Sequence, residues 1–466
     1  MISRVARFGM ASVAGLLAVS AAAEARAAET PSLRAMTLGE ALDYARAHQP
    51  DLRAAAARVE SVKAQAAIAR ARWYPTVTAT AQLLASTTNN STGSYLTVPL
   101  LDNPRVSATR AESAATASLA PSPSTMVGAG VRQLVYDFGR IAAEAASDDL
   151  RADAASLSLA SSRIVVDYDV EETYFAVHAA KSVLTASEQA YERAVVHRDL
   201  ARAGVESGLR RPIELTRAEA ALDRYELERI HAKRGVSVAQ AVLAATVGVP
   251  DHLLDIAGPP PGPQELPSLD AAFARASDQN PELRAALTRV RAQEEASKAI
   301  ARAASPSLFL TGAVSGNAGG AIPSSGESAA AHGLLPSVPN WDVGVVLAWP
   351  LFDATVSART RQSRADENAL REQAGALRFK IAAEVEEAYI DVQAARDALP
   401  VLQHAVKAGV ANYEQADARF GVGLGNAVEL ADAEDVRTAA EIQLALGVFE
   451  LARARALLGR VIAEGI

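Results

Sequence analysis

The chain repeats itself. HQPDLRAAAARV, His48 to Val59, returns as QNPELRAALTRV, Gln279 to Val290, with Pro50, Leu52, Arg53, Ala54, Ala55, Arg58 and Val59 recurring 231 positions on. Pro75 in RWYPTVTATA matches Pro306 in AASPSLFLTG at the same spacing. Farther along the spacing settles at 215. VEETYFAV (Val170 to Val177) matches VEEAYIDV (Val385 to Val392), and ARAGVESGLRRPIELTRAEA (Ala201 to Ala220) matches ADARFGVGLGNAVELADAED (Ala416 to Asp435). The change of spacing falls in a Ser/Thr/Gly/Pro-rich loop that is longer in the first half. GPPPGP, Gly258 to Pro263, separates the copies and cannot be helical. Whatever one half builds, the other must build again.

Each half reads as helix, two strands, very long helix, tight turn, return helix. The first helix spans about Thr37 to Arg72 with a break near Pro50, and Thr37-Leu38-Gly39-Glu40 has capping-box spacing. Then the period changes from helical to two: Thr76 to Leu83 alternates polar with apolar, and Met126 to Val135 does so again. In the second half Leu308 to Ser315 alternates, and Trp341, Val343, Val345, Leu347, Trp349 and Leu351 share one face opposite Asp342, Gly344 and Ala348. From Arg140 to Arg202 there is neither Pro nor Gly, a helix of roughly 95 Å at 1.5 Å per residue. Ala354 to Arg419 is its counterpart, with Pro400 as a point for a kink. Leu370, Ala374, Leu377, Ile381 and Ala388 follow coiled-coil-like spacing, and turns at Gly208 and Gly423 send each helix back from about Pro212 and Asn426. The expected organisation is a first repeat over 36–250, with strands about 75–86 and 125–136 and a helical hairpin over 139–247. A Pro-rich linker over 251–267 follows. A second repeat spans 268–462, with strands about 306–315 and 340–352 and a hairpin over 354–458.

Strands of about ten residues match a tilted membrane-crossing strand. Trp341 and Trp349 are eight residues apart, about 27 Å along a strand, and suit the two interfaces of an outer-membrane barrel together with Trp73. The competing reading is a small soluble sheet with two buried Trp. The outward apolar faces carry little that would fill a core, and all three Trp sit at strand ends. Four strands cannot close a barrel, and an open sheet edge in lipid leaves backbone groups unsatisfied. Two copies would supply eight strands and three would supply twelve, so the sequence calls for an oligomer.

Composition narrows the class. Half the residues are hydrophobic but only 5% are aromatic, which favours close helix seams built from small residues. A net charge of −8 with dispersed Lys and Arg argues against a nucleic-acid partner. Absence of Cys removes disulfides and thiolate chemistry. Arg4 and Arg7, the apolar Phe8 to Ala23 and the run Ala25-Arg26-Ala27-Ala28 form an expected export signal peptide over 1–28, rather than a membrane anchor.

TLGEALDYARAHQPDLRAA, the strand-to-helix passages QLVYDFGR and WPLFDATV, and the turn ARFGVGLGNAVELADAE resemble the TolC-like outer membrane efflux protein family (outer membrane factors), from Thr37 to about Ile462. The resemblance implies an α+β membrane fold. Four strands per chain join a trimeric 12-stranded β-barrel, continuous with a long α-helical coiled-coil barrel in the periplasm. It also implies the function: a passive exit duct in the outer membrane for a tripartite efflux pump or type I secretion system. The partners it implies are a homotrimer's own copies, a periplasmic adaptor, an inner-membrane transporter and outer-membrane lipid, with no cofactor. By position, Gly208, Leu209, Gly423 and Leu424 become the adaptor-facing tips. The acidic pair of the pore constriction falls on Glu429, where the family usually has Asp, and on Asp432. The basic residue that helps lock the closed tip falls on Gly425. Glu429 and Asp432 at i and i+3 share a helix face, and in the trimer that the resemblance implies three copies would ring a pore with six carboxylates favouring cations. Acids in a solvated first helical turn also suit the helix dipole without any pore. A soluble periplasmic coiled-coil adaptor or scaffold is the alternative function.

Other motifs carry less. Asp137-Phe138-Gly139 spells the magnesium motif of protein kinases but lacks a nucleotide loop and a catalytic HRD loop, and reads better as a strand end mirrored by Leu351-Phe352-Asp353. Gly128-Ala129-Gly130 is a lone GxG inside a strand. No two of the seven His share a metal-ligand spacing with a nearby third ligand; His178 and His404 are the ones to watch were the cargo a metal. No catalytic set has local support, and a non-enzymatic protein is expected.

Overall fold

The computed structural model describes residues 34–87, 121–249, 254–258, 266–319 and 338–464. The expected signal peptide over 1–28 and most of the linker over 251–267 lie outside the described residues. The elements in order are β1 (Arg34–Met36), α1 (Leu38–His48), α2 (Pro50–Ala71), β2 (Thr76–Thr87), β3 (Pro121–Tyr136), α3 (Arg140–Glu206), α4 (Pro212–Val247), β4 (Leu254–Ile256), α5 (Leu269–Gln279), α6 (Pro281–Ala301), β5 (Ser307–Gly319), β6 (Val338–Ala348), α7 (Ala354–Gly421) and α8 (Ala427–Val461). Helix pair, strand pair, long helix and return helix thus occur twice in the same order.

Local chemistry sets the boundaries. Thr37 and Glu40 form the capping box of α1, each side chain bonding the other's backbone N–H. Pro50 and Pro281 open α2 and α6, where a fixed φ and a missing N–H cost nothing. Asn280 adds a side-chain cap, its Oδ1 accepting from Glu282 N and Leu283 N at 2.9 and 3.2 Å. Pro400 stays inside α7, which continues as one helix to Gly421.

The chain divides into two compact units. The first comprises the described residues within 1–50, 164–267 and 387–460; the second comprises those within 51–163, 268–386 and 461–466. In the first, β1 pairs in parallel with β4. Tyr174 on α3 donates its hydroxyl to Ala257 O at 2.7 Å, while Lys181 and Gln240 hold Asp255 at 2.6 and 3.0 Å. Leu243, Val247, Leu254, Val170 and Val177 are all fully buried in this unit. Arg46 of α1 grips Asp167 of α3 through two bonds of 2.9 Å.

In the second unit the helix seams are small and polar. Ser147 on α3 donates to Ala292 O on α6 at 2.7 Å, and Ser297 on α6 meets Ser363 on α7 at 2.8 Å. Buried Ala66, Ala69, Ala143, Ala285, Ala292 and Ala374 allow such close approach. The same unit holds an antiparallel sheet in the order β2-β3-β5-β6. Its register places Val77 opposite Val131 and Ala79 opposite Ala129. It also sets Val131 against Gly312, Gly312 against Val343, and Leu310 against Val345. Directly opposed residues point the same way, so one face of the sheet is largely apolar, interrupted by Gln133 opposite Leu310. The other face carries Thr76, Thr78, Thr80, Gly128, Gly130, Arg132, Thr311, Ser315, Asn340 and Asp342.

Several expected strand boundaries are corrected. β6 ends at Ala348, so Trp349 and Leu351 follow the strand instead of finishing it. Pro350 has no N–H for the ladder and restricts the residue before it. β3 also begins at Pro121, earlier than the alternation alone indicates, with Pro121 and Pro123 facing Thr87 and Ala85.

Candidate functional site

Two strand-to-helix corners tie the sheet to the long helices. Asp137, almost wholly buried, accepts from Gly139 N at 3.1 Å and Ile141 N at 2.7 Å and so caps α3. Phe138 and Gly139 take left-handed φ of 55° and 83°, and Arg302 donates to Gly139 O at 2.9 Å. The kinase-like triplet is therefore a helix cap. Asp353 plays the same part for α7, accepting from Thr355 N at 2.8 Å and Thr355 Oγ1 at 2.6 Å. Those two donors hold its carboxyl below the usual carboxylate range.

The two helix-to-helix turns are built alike, residue for residue. Gly208 and Gly423 adopt φ of 76° and 78°, a conformation that penalises any side chain. Leu209 N and Arg210 N both donate to Gly204 O, at 2.8 and 2.9 Å; Leu424 N and Gly425 N both donate to Arg419 O, each at 2.9 Å. The apolar tips Leu209 and Leu424 are 85% and 76% exposed, which leaves them available to a partner.

The turns differ by an exchange of side chains. The first has Gly204 and Arg210; the second, at equivalent positions, has Arg419 and Gly425. A Cβ on Gly204 would come within 2.5 Å of Arg210 Cδ, so the arginine lies across bare backbone. Its guanidinium stacks 3.7 Å from the Phe420 ring centroid, donates to Phe420 O at 2.5 Å and sits 3.4 Å from Glu214. At Gly425 a Cβ would approach Phe420 N to 3.1 Å, so the position expected to hold a basic residue is crowded by backbone.

Glu429 and Asp432 lie in the opening turns of α8. Asn426 caps that helix, accepting from Val428 N and Glu429 N at 2.9 Å each. Arg419 stands 3.3 Å from Glu429, an ion pair the spacing of the acids did not disclose; Asp432 is exposed. Farther along the hairpins Arg193 on α3 forms a forked bond with Glu434 on α8, with distances of 2.6 to 3.0 Å. Glu434 is 2% exposed and also accepts from Thr438. Arg224 and Tyr225 on α4 both bond Asp435. His197 Nε2 meets Tyr413 Oη at 2.8 Å, and burial pushes the histidine down and the Tyr413 hydroxyl up to about 12. These links were invisible in the sequence because they join different repeats, 241 positions apart for Arg193 and Glu434.

Of the other expected residues, Trp341 is 77% exposed on the apolar sheet face, and Trp349 and Trp73 are 57% and 38% exposed. None is a core tryptophan. His178 lies beside Tyr174, pushed down by burial and Lys181. Among the described residues no group of three His, Asp or Glu side chains is placed to hold a metal, and no helix is long and apolar enough to cross a membrane.

The comparisons with known proteins agree with this architecture. Residues 41–249 and 273–463 match the family described as outer membrane efflux protein. A sequence comparison with curated proteins finds no relative. Among solved structures, the CmeC outer membrane channel of Campylobacter jejuni superposes with a TM-score of 0.74 at 17% identity, over 92% of this chain and 86% of that one. The open MtrE outer membrane channel of Neisseria gonorrhoeae gives 0.70 at 20% identity, over 92% and 89%. The outer membrane protein VceC of Vibrio cholerae gives 0.69 at 15% identity, over 91% and 95%. At these identities the structures speak for the fold, TolC-like; the family match covers most of the chain and speaks for the lineage. The chain belongs to the outer membrane efflux protein family, whose members are outer-membrane channels with a periplasmic helical domain.

Proposed function

We propose that three copies of this chain form a passive exit duct of a tripartite efflux pump or type I secretion system. The observation that carries the reading is the sheet, with one largely apolar face and, among the described residues, two unpaired edges, β2 and β6. An apolar face suits lipid, while an open edge does not, because the bilayer core offers no partner for its N–H and C=O groups. Pairing β6 of one copy with β2 of the next satisfies both edges. Three copies give twelve strands. Trp341 near the outer end and Trp73 and Trp349 near the helical end then anchor the barrel at its two interfaces.

The repeats over 36–250 and 268–462 each supply two strands and one hairpin to this wall. Gly208, Leu209, Gly423 and Leu424 face a periplasmic adaptor, Glu429 and Asp432 line the constriction, and an inner-membrane transporter supplies the energy and chooses the cargo. The duct itself performs no chemistry. Chemical crosslinking of the detergent-extracted outer-membrane protein tests the assembly. A trimer as the largest product is expected, and trapping of monomers and dimers alone overturns it.

A further inference from the structure

The four strands, as described, contain two charged side chains: Arg132 on β3 and Asp342 on β6. Both fall on the polar face. Arg132 shares a cross-strand row with Thr76, Thr311 and Gly344; Asp342 shares the next row outward with Thr78, Gly130 and Ala313. Two residues along the strand and two strands across place them about 7 Å and about 10 Å apart in those two directions, too far to pair. Among the described residues Arg132 has no salt-bridge partner and its Nε has no hydrogen-bond partner. Its guanidinium instead lies 3.8 Å from the centroid of the Phe309 ring on β5, which fixes the charge against the wall.

We infer that Arg132 and Asp342 form a bipolar charge girdle on the inner wall of the barrel and set its ionic selectivity. The inference rests on the three-copy barrel proposed above. With β6 paired to β2 of the next copy, every Asp342 stands two strands from an Arg132 on either side. Six charges then alternate in sign around the lumen. Each sign by itself would bias the lumen; together they balance, so the barrel favours neither cations nor anions. A charge facing a narrow water-filled pore acts on every ion that passes.

The test is the reversal potential of the reconstituted full-length protein in planar bilayers across a KCl gradient near 0.1 M. Three like charges at roughly 10 Å, screened over about 10 Å, shift cation and anion about twofold each in opposite senses, and so change the cation-to-anion permeability ratio about fivefold. Arg132→Gln should raise that ratio and Asp342→Asn should lower it. The double variant should return to the wild-type value, and Arg132→Lys should keep it. Shifts of the same sense, or none, overturn the girdle. Asp342→Asn, on an edge strand, tests the negative arm by itself, so failed assembly of the Arg132 variant does not shield the inference. A wild-type protein without conductance overturns the duct and the girdle together; normal conductance with unmoved ratios overturns the girdle alone.

Discussion

Gly204 with Arg210, and Arg419 with Gly425, show how one duplicated turn came to have two characters. In the first turn the arginine follows the left-handed glycine and folds back over Gly204 to reach Phe420. In the second it precedes the glycine and turns toward Glu429. The Arg419–Glu429 pair is well exposed, so it contributes at most about 1 kcal/mol to stability, and its effect is on local charge. If Glu429 and Asp432 ring the constriction, Glu429 is half-compensated and Asp432 carries more of the field. Glu429→Gln with Asp432→Asn should weaken cation selectivity in planar bilayers and relieve block by multivalent cations. Asp432→Asn alone should produce the larger share of that change, and Arg419→Gln should strengthen cation selectivity. Selectivity indifferent to all of these moves the constriction elsewhere. The acids were legible from their spacing, but Arg419 was not. Its partner is chosen by the fold of the turn, ten positions away, and no helical period links the two.

At the scale of elements, periodicity carried far. The strict alternation of Thr76 to Leu83 and the shared face of Trp341, Val343, Val345 and Leu347 already separate an apolar from a polar face, and the observed register keeps the four strands in phase up to a bulge between Leu134 and Tyr136. Where the reading of β6 ran on to Leu351, Pro350 stopped the ladder sooner, because pairing needs an N–H that alternation of side chains does not report. Pro400 shows the converse: α7 continues through it, since one lost bond in a 68-residue helix is a small fraction of its ladder. The two sheet faces make opposite demands on charge. Val345→Lys places an ammonium on the apolar face near the middle of β6, at a cost of about 2–4 kcal/mol per copy in a barrel. Thr80→Lys puts the same charge on the polar face, opposite Gly128. The first should deplete the assembled protein in the outer-membrane fraction and the second should spare it; equal recovery of the two variants would contradict the assignment of faces.

For the molecule as a whole, the duplication and the open edges together limit the assembly. One chain supplies two copies of a strand pair and a hairpin, so three chains give a wall with six-fold pseudo-symmetry. The ring must close, because every unpaired edge in lipid costs several kcal/mol per backbone group. An open association through the same edges would add chains without limit, and crosslinking by a general reagent does not separate that case from a closed ring. The absence of Cys offers a cleaner measurement. Cysteines introduced together at Ala79 or Ala81 on β2 and at Val343 or Val345 on β6 lie on the same face of opposite edges. Across a β6–β2 seam in matching register, Cβ atoms stand about 4.5–5.5 Å apart, close to disulfide range. Within one chain the two edges are separated by two intervening strands, so an oxidised bond must join different copies. Mild oxidation of outer membranes should therefore yield a non-reduced ladder of one, two and three chains, ending at three and collapsing on reduction. A ladder that climbs past three would mean an open edge-to-edge stack. Oxidation that leaves only monomers across all four cysteine pairs would mean that the wall is closed by some contact other than β6 on β2.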